Sequence, residues 1–218
     1  MVKANELAFF GKIAAGVTHE LNNVLAVINE TNGLMADLLA VLDKAPFPHW
    51  EKFQRSVKKI DEQVQRGVEI TSGFNRFAHS VDYPLVDIDL NTILTRTVSL
   101  FRRFAALLNV ELQGVVCDLP IMLFTSAFRV QMALTRAIEA FIKSMGGSGS
   151  ILIKVKNDPG APGLDFYFGG ESCEKVSRGA VEEFAEWHEF EELAAVLDIR
   201  HAWRTSDGAF ALSFSGRN

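Results

Sequence analysis

Two long runs of apolar residues at alternating three- and four-residue spacing, separated by a double-proline break, limit what this chain can fold into. In the first run Ile13, Val17, Leu21, Val24, Ile28, Met35, Leu38 and Leu42 recur on one face of a helix. That helix is expected from near Ala4 to about Asp43, stopping at Lys44-Ala45-Pro46-Phe47-Pro48, where the ring of proline removes a donor and clashes with the preceding turn. In the second run Phe53, Val57, Ile60, Val64, Thr71, Phe74 and Ala78 repeat with heptad-like spacing, with Lys58, Lys59, Glu62, Arg66 and Glu69 on the outside. Two long antiparallel helices follow. A lone hairpin of this size leaves its seam half exposed, so the economical arrangement is a homodimer that closes a four-helix bundle. The alternative is a hairpin folded back on the rest of the chain.

Within the first run, Gly16-Val17-Thr18-His19-Glu20-Leu21-Asn22-Asn23 places three reactive polar side chains on one turn. At about 100° per residue, His19 sits roughly 200° around from Val17, so its ring faces water while its neighbours hold the helix against a partner. Asn23 follows one turn later, within side-chain reach of His19, and Glu20 flanks the ring. A neutral imidazole offers a lone pair that accepts phosphorus as a labile phosphoramidate. Glu20 is a candidate to orient the ring or take a proton, and Asn23 to position a water or an incoming carboxylate. The bland reading, three solvated side chains on a helix face, fits the same residues.

Phe10-Gly11-Lys12-Ile13-Ala14-Ala15-Gly16-Val17-Thr18-His19-Glu20-Leu21-Asn22-Asn23-Val24-Leu25 closely resembles the phospho-acceptor box of two-component sensor histidine kinases. The resemblance implies that His19 is the phosphorylated histidine and Glu20 the acidic neighbour used in phosphoryl transfer. It implies that Asn23 is the residue by which phosphatase-active members place water. Many relatives carry proline where this chain has Val24, which leaves the helix straighter here.

With 218 residues, 48% of them hydrophobic and 22% charged, the chain can build two domains with cores. A formal net charge of −5, without basic runs interleaved with aromatics, speaks against a nucleic-acid partner. Cys117 and Cys173 stand alone, consistent with free thiols in a reducing, cytoplasmic compartment. There is no signal-peptide pattern and no uncharged stretch of about 20 residues, so neither export nor a membrane span is expected. Any sensing would then proceed without a membrane segment or input domain of its own. His49, His79, His188 and His201 lack ligand-spaced partners and read as structural, and no metal site is expected. Trp187, Phe190 and Trp203 read as core.

Val81-Asp82-Tyr83-Pro84 marks the junction between an expected domain 1–80, the dimerisation and acceptor hairpin, and a domain 85–218. In the latter, Val86 to Leu90 alternates as a strand, Asn91 is expected to cap a helix from about Thr92 to Leu108, and Val110 to Val116 is a strand. Phe128 to Ser144 reads as a buried helix with Val130, Leu134, Ala137, Ile138 and Phe141 inward, followed by the turn Gly146-Gly147-Ser148-Gly149. Strands at Ile151–Lys156 and Leu164–Phe168 flank a loop Pro159-Gly160-Ala161-Pro162-Gly163. A helix from Val181 to Leu197 precedes a hairpin of Arg200–Thr205 and Ala209–Ser215, turning at Ser206-Asp207-Gly208. The fold class is α+β: a long helical hairpin, then a sandwich of helices on one sheet.

That order resembles the ATP-binding domain of histidine kinases, with departures at the nucleotide. Where the family carries an asparagine for magnesium and phosphate, this chain reads Thr135-Arg136-Ala137-Ile138-Glu139-Ala140. Magnesium demands oxygen ligands, and a guanidinium in that place repels it. Phe166-Tyr167-Phe168-Gly169-Gly170-Glu171 lacks the adenine-gripping aspartate, and Glu171 to Ala180 is too short for a phosphate lid. The glycines at 146, 147 and 149 lack the lysine of a phosphate loop. The expectation is a degenerate ATPase-like domain with no tightly bound cofactor. The protein is then a histidine phosphotransferase or receiver phosphatase acting between His19 and a response-regulator aspartate, with Mg²⁺ on the receiver. Two further readings are an ATP-dependent histidine kinase with an atypical nucleotide site and a non-catalytic dimeric adaptor.

Overall fold

A computed structural model describes residues 2–40, 50–80, 85–158, 161–170, 173, 176–204 and 208–215, with backbone alone at 2–5 and 39–40. Its contacts divide the chain into two units, Met1–Arg76 and Phe77–Asn218.

The first unit is a helical hairpin. Helix α1 spans Val2–Ala40 and α2 spans Trp50–His79, the last three residues of α2 belonging to the second unit. The double-proline break lies outside the described residues. Pairing is antiparallel: the Phe10 ring lies 6.0 Å from that of Phe74, Glu20 bonds Arg66, and Val24 faces Gly67. Phe9, Ile13, Val17 and Val24 are buried on α1, as the seam requires.

The α2 seam differs from expectation. Phe53, Ile60 and Phe74 are half-buried, but Val57, Val64 and Thr71 are exposed, and Ser56 is buried. Apolar side chains on α2 spread over a wider arc than one neighbouring helix covers, so the stripe at Val57, Val64 and Val68 is exposed among the described residues.

The second unit is α+β. Strand β1 (Val86–Asp89) leads into α3 (Leu90–Leu107), then β2 (Val110–Val115), β3 (Met122–Thr125), α4 (Ala127–Met145), β4 (Gly149–Asp158) and β5 (Ala161–Gly169). Helices α5 (Arg178–Val181) and α6 (Ala185–Val196) precede β6 (Ile199–Trp203) and β7 (Phe210–Phe214). The main sheet has the order β2-β4-β5-β7-β6, with β2 parallel to β4 and the other pairs antiparallel. A separate antiparallel pair joins β1 to β3, so there are two sheets rather than one.

Local chemistry explains the other departures. Asp89, not Asn91, caps α3: its carboxylate accepts from the Asn91 backbone N–H and from that of Ile121, tying the cap to the segment before β3. The Asn91 carboxamide instead donates to the Cys117 and Leu119 carbonyls and accepts from the Cys117 N–H. The expected loop 159–163 shrinks because Ala161, Pro162 and Gly163 pair with Asp158, Asn157 and Lys156. A Cβ at Gly163 would stand 2.1 Å from the Leu212 carbonyl oxygen, so only glycine lets β7 approach there. The single final helix is two, with α5 ending before Glu182 and α6 starting at Ala185. The turn at 205–207 and the junction at 81–84 lie outside the described residues.

Helix α4 forms the centre of this unit. Ser126 caps its start, Gly146 ends it in the left-handed conformation (φ 62°), and Val130, Leu134, Ala137, Ile138 and Phe141 are all fully buried. The Phe141 ring meets Phe168 at 4.9 Å, Phe210 at 5.2 Å, Phe166 at 5.6 Å and Trp187 at 5.9 Å. These rings weld α4 and α6 to β5 and β7. Trp187 and Phe190 are core, as expected, and Trp203 is half-buried.

Candidate functional site

The acceptor turn sits mid-way along α1, where Val17 and Val24 anchor the buried face and His19 is exposed on the other side. Val24 faces Gly67 across the hairpin: a Cβ there would lie in ordinary van der Waals contact, 3.4 Å from Val24 Cγ1. Helix α1 is unbroken through this point, as expected for a chain without proline at 24. The neighbouring Thr18 hydroxyl donates to the Ala14 carbonyl at 2.8 Å and is spent on its own helix.

Asn23 reaches back one turn, its Nδ2 lying 3.3 Å from His19 Nδ1. This contact fixes the ring's orientation and couples two choices, the direction of the amide and the position of the ring proton. With the amide nitrogen toward the ring, Nδ1 accepts and Nε2 carries the proton. With the amide turned over, Oδ1 accepts from Nδ1–H and Nε2 presents a lone pair. No described residue bonds Nε2, so the outward edge of the ring is open to a docking molecule.

Glu20 has a partner on the other helix that the sequence did not reveal. Adjacent residues on a helix point about 100° apart, and its carboxylate turns toward α2, where Oε1 accepts from Arg66 Nη2 at 2.7 Å. The two side chains are 21% and 44% exposed, so the pair contributes about 0.5 kcal/mol to the hairpin. Arg66 is the residue that sequence reasoning put on the outside. The signal for it was Gly67, which marks a close helix approach and thereby sets Arg66 level with Glu20 once Val24 is opposite.

Arg136 stands at the position where the resemblance expects an asparagine ligand. Arg136 is 8% exposed, and its guanidinium forms ion pairs at 2.8 Å with Glu139 on the same helix and at 2.8 Å with Glu189 on α6. Two turns on from Arg136, Lys143 donates to Glu186 at 2.6 Å. Burial works to raise the Glu186 carboxyl, yet the Lys143 hydrogen bond and charge outweigh it and hold the group below the ordinary carboxylate range. At the far end of the neighbouring strands, Asp165 is buried against Arg204 at 2.9 Å. A buried cation paired with two carboxylates repels a Mg²⁺ ion and offers it no free oxygen ligand set, so these residues do not fit a Mg²⁺–nucleotide complex.

Elsewhere, His188 is exposed, 3.8 Å from Glu191, and His201 lies beside Trp187 and Phe190. His49 lies outside the described residues. Among the described residues no cluster of three metal-ligating side chains occurs, and no helix is long and apolar enough to cross a membrane.

No protein-family model matches the chain. It is 26% identical over 172 residues to the C4-dicarboxylate transport sensor protein DctB of Rhizobium meliloti, a match covering 75% of this chain and 25% of that protein. The chain thus spans about a quarter of that relative's length. Among solved structures, histidine kinase AdeS of Acinetobacter baumannii aligns with a TM-score of 0.46 and 11% identity, covering 92% of this chain and 98% of that one. A complex of histidine kinase ThkA with the response regulator protein TrrA aligns at 0.46 and 14% identity, covering 97% and 63%. These two structural likenesses are too distant to carry an argument about activity or partner. The sequence match, with the acceptor box, supports a relationship to the two-component histidine kinases.

Proposed function

We propose that the chain relays or removes phosphoryl groups in a two-component system, using His19 on a dimeric hairpin and a receiver domain's phospho-aspartate. The observation that carries this reading is the exposed His19 ring, oriented through Nδ1 by Asn23 with Nε2 left open. For transfer, the Asn23 amide presents Oδ1 to Nδ1–H and the Nε2 lone pair attacks phosphorus. The P–O bond to the aspartyl oxygen breaks, its electron pair leaves on the aspartate carboxylate, and the ring becomes an Nε2-phosphoimidazolium that keeps its Nδ1 proton. Hydrolysis would use the same docked geometry with a water, oriented by the Asn23 amide, attacking the phospho-aspartate in place of the ring. Mg²⁺ belongs to the receiver's own site in either case.

ATP is not the donor in this reading. Arg136, Glu139 and Glu189 hold one another where the resemblance puts the metal. A second copy covers the exposed stripe at Val57, Val64 and Val68.

The deciding experiment incubates the purified protein with radiolabelled ATP and, separately, with a phosphorylated receiver. Label from the receiver only, abolished in His19→Ala, is the expected result. Loss of phosphate from the receiver without label on the protein indicates phosphatase action, which should fall at least tenfold in Asn23→Ala. Label from ATP would identify an autokinase, and neither reaction would leave a dimeric adaptor.

A further inference from the structure

We propose that Arg66 binds the phosphoryl group at this site, and that Glu20 serves to hold it there. The inference rests on the reading of His19 as the phospho-acceptor. Arg66 lies on α2, 46 residues along the chain from Glu20, yet its Nη2 is fastened at 2.7 Å to the residue directly following His19. That single charge-assisted bond uses one of five donors. Nη1 and Nε have no partner among the described residues, and the side chain remains 44% exposed beside the acceptor turn.

The charge balance gives the arrangement its purpose. A phosphoryl group on His19, or arriving on a receiver aspartate, brings close to two negative charges beside the Glu20 carboxylate. Without a cation, the Glu20 carboxylate would repel that group. Arg66 reverses that: its charge offsets Glu20, and the free edge of its planar fork matches phosphate oxygens. Glu20 is a positioning residue, since adjacent helix residues do not face one another and its carboxylate is committed to α2.

The test loads His19 chemically with a small donor, phosphoramidate, so that no receiver is needed, and follows the phosphohistidine by ³¹P NMR. Arg66→Gln keeps a hydrogen-bond donor for Glu20 but removes the charge; Arg66→Lys keeps the charge without the fork. In Arg66→Gln the phosphohistidine resonance should shift, and loading should slow on the order of tenfold to a hundredfold. Arg66→Lys should recover part of that loss. Glu20→Gln should slow loading less than Arg66→Gln does. An unchanged resonance and loading rate in Arg66→Gln, with circular dichroism showing an intact hairpin, would overturn the assignment of Arg66 while leaving His19 as the acceptor. Failure of wild-type His19 to load from phosphoramidate and from a phosphorylated receiver would sink both readings together.

Discussion

The acceptor turn of α1 and the seam between α4 and α6 both carry an ionic cluster, and the two treat it in opposite ways. On α1 the polar groups face water: His19 is exposed, and Glu20 with Arg66 is fastened lightly at the surface. At the α4–α6 seam the charges face inward: Arg136 is 8% exposed and paired with Glu139 and Glu189. An exposed cluster can exchange partners and so can do chemistry, whereas a desolvated one holds elements together and resists rearrangement. The exposed kind stands beside His19 on α1, and the desolvated kind stands at Arg136 on α4.

The largest effect should come from breaking the inward cluster. Arg136→Ala leaves Glu139 and Glu189 facing each other without their cation, and should cost about 2 kcal/mol, discounted from the full buried-pair value because Glu189 is partly exposed. Urea unfolding of the second unit measures it. A triple change, Arg136→Met with Glu139→Gln and Glu189→Gln, should recover most of the loss, because no uncompensated buried charge remains. A cost below about 0.5 kcal/mol for Arg136→Ala would mean that the cluster is solvated and that the contrast between the regions is false.

Much of this contrast was readable from residue order, and the parts that were not share a cause. His19 could be placed outside because helical periodicity fixes the angle between it and Val17, and α4 could be placed inside because its apolar residues surround it. Arg136 could be recognised as the wrong residue type for a magnesium ligand, but not as the partner of Glu189, 53 positions away. Arg66 was missed for the same reason: the break between the helices leaves their register open, and only the fit of Val24 at Gly67 sets it. Strand β3 escaped notice because Met122 to Thr125 is too short to show alternation by itself and exists through its pairing with β1. Cap assignment failed at Asp89 and Asn91 because both residue types cap helices, and the choice was made by the Ile121 backbone 32 positions on.

A smaller effect, of opposite sign, should appear in the hairpin. Gly67 lies inside α2, and an added methyl would meet Val24 at ordinary van der Waals distance. Gly67→Ala should therefore stabilise the helix by about 0.5 to 1 kcal/mol, through lost unfolded-state freedom, and raise Tm by a few degrees. Calorimetry reads this directly. A fall in Tm would mean that α1 and α2 close more tightly at the acceptor turn than the 3.4 Å spacing implies, making that region as sealed as the other.

The smallest expected effect separates the regions by acid. His201 is exposed, but partial burial of its ring against Trp187 and Phe190 pushes its pKa below the ordinary imidazole value of 6.5; Glu191 pulls it up and Arg178 opposes that pull. Between the lowered folded value and 6.5 the unfolded chain binds the proton more readily than the folded one, so stability rises with pH through that window. It should be complete above 6.5 and decline as pH falls through the folded value. His201→Gln removes the titrating group, so the drop in Tm from pH 7.5 to pH 5 should shrink relative to wild type, whatever the substitution does to stability at neutral pH. An equal drop in both proteins would mean that water reaches His201 freely and that the packed side of this unit ends before β6.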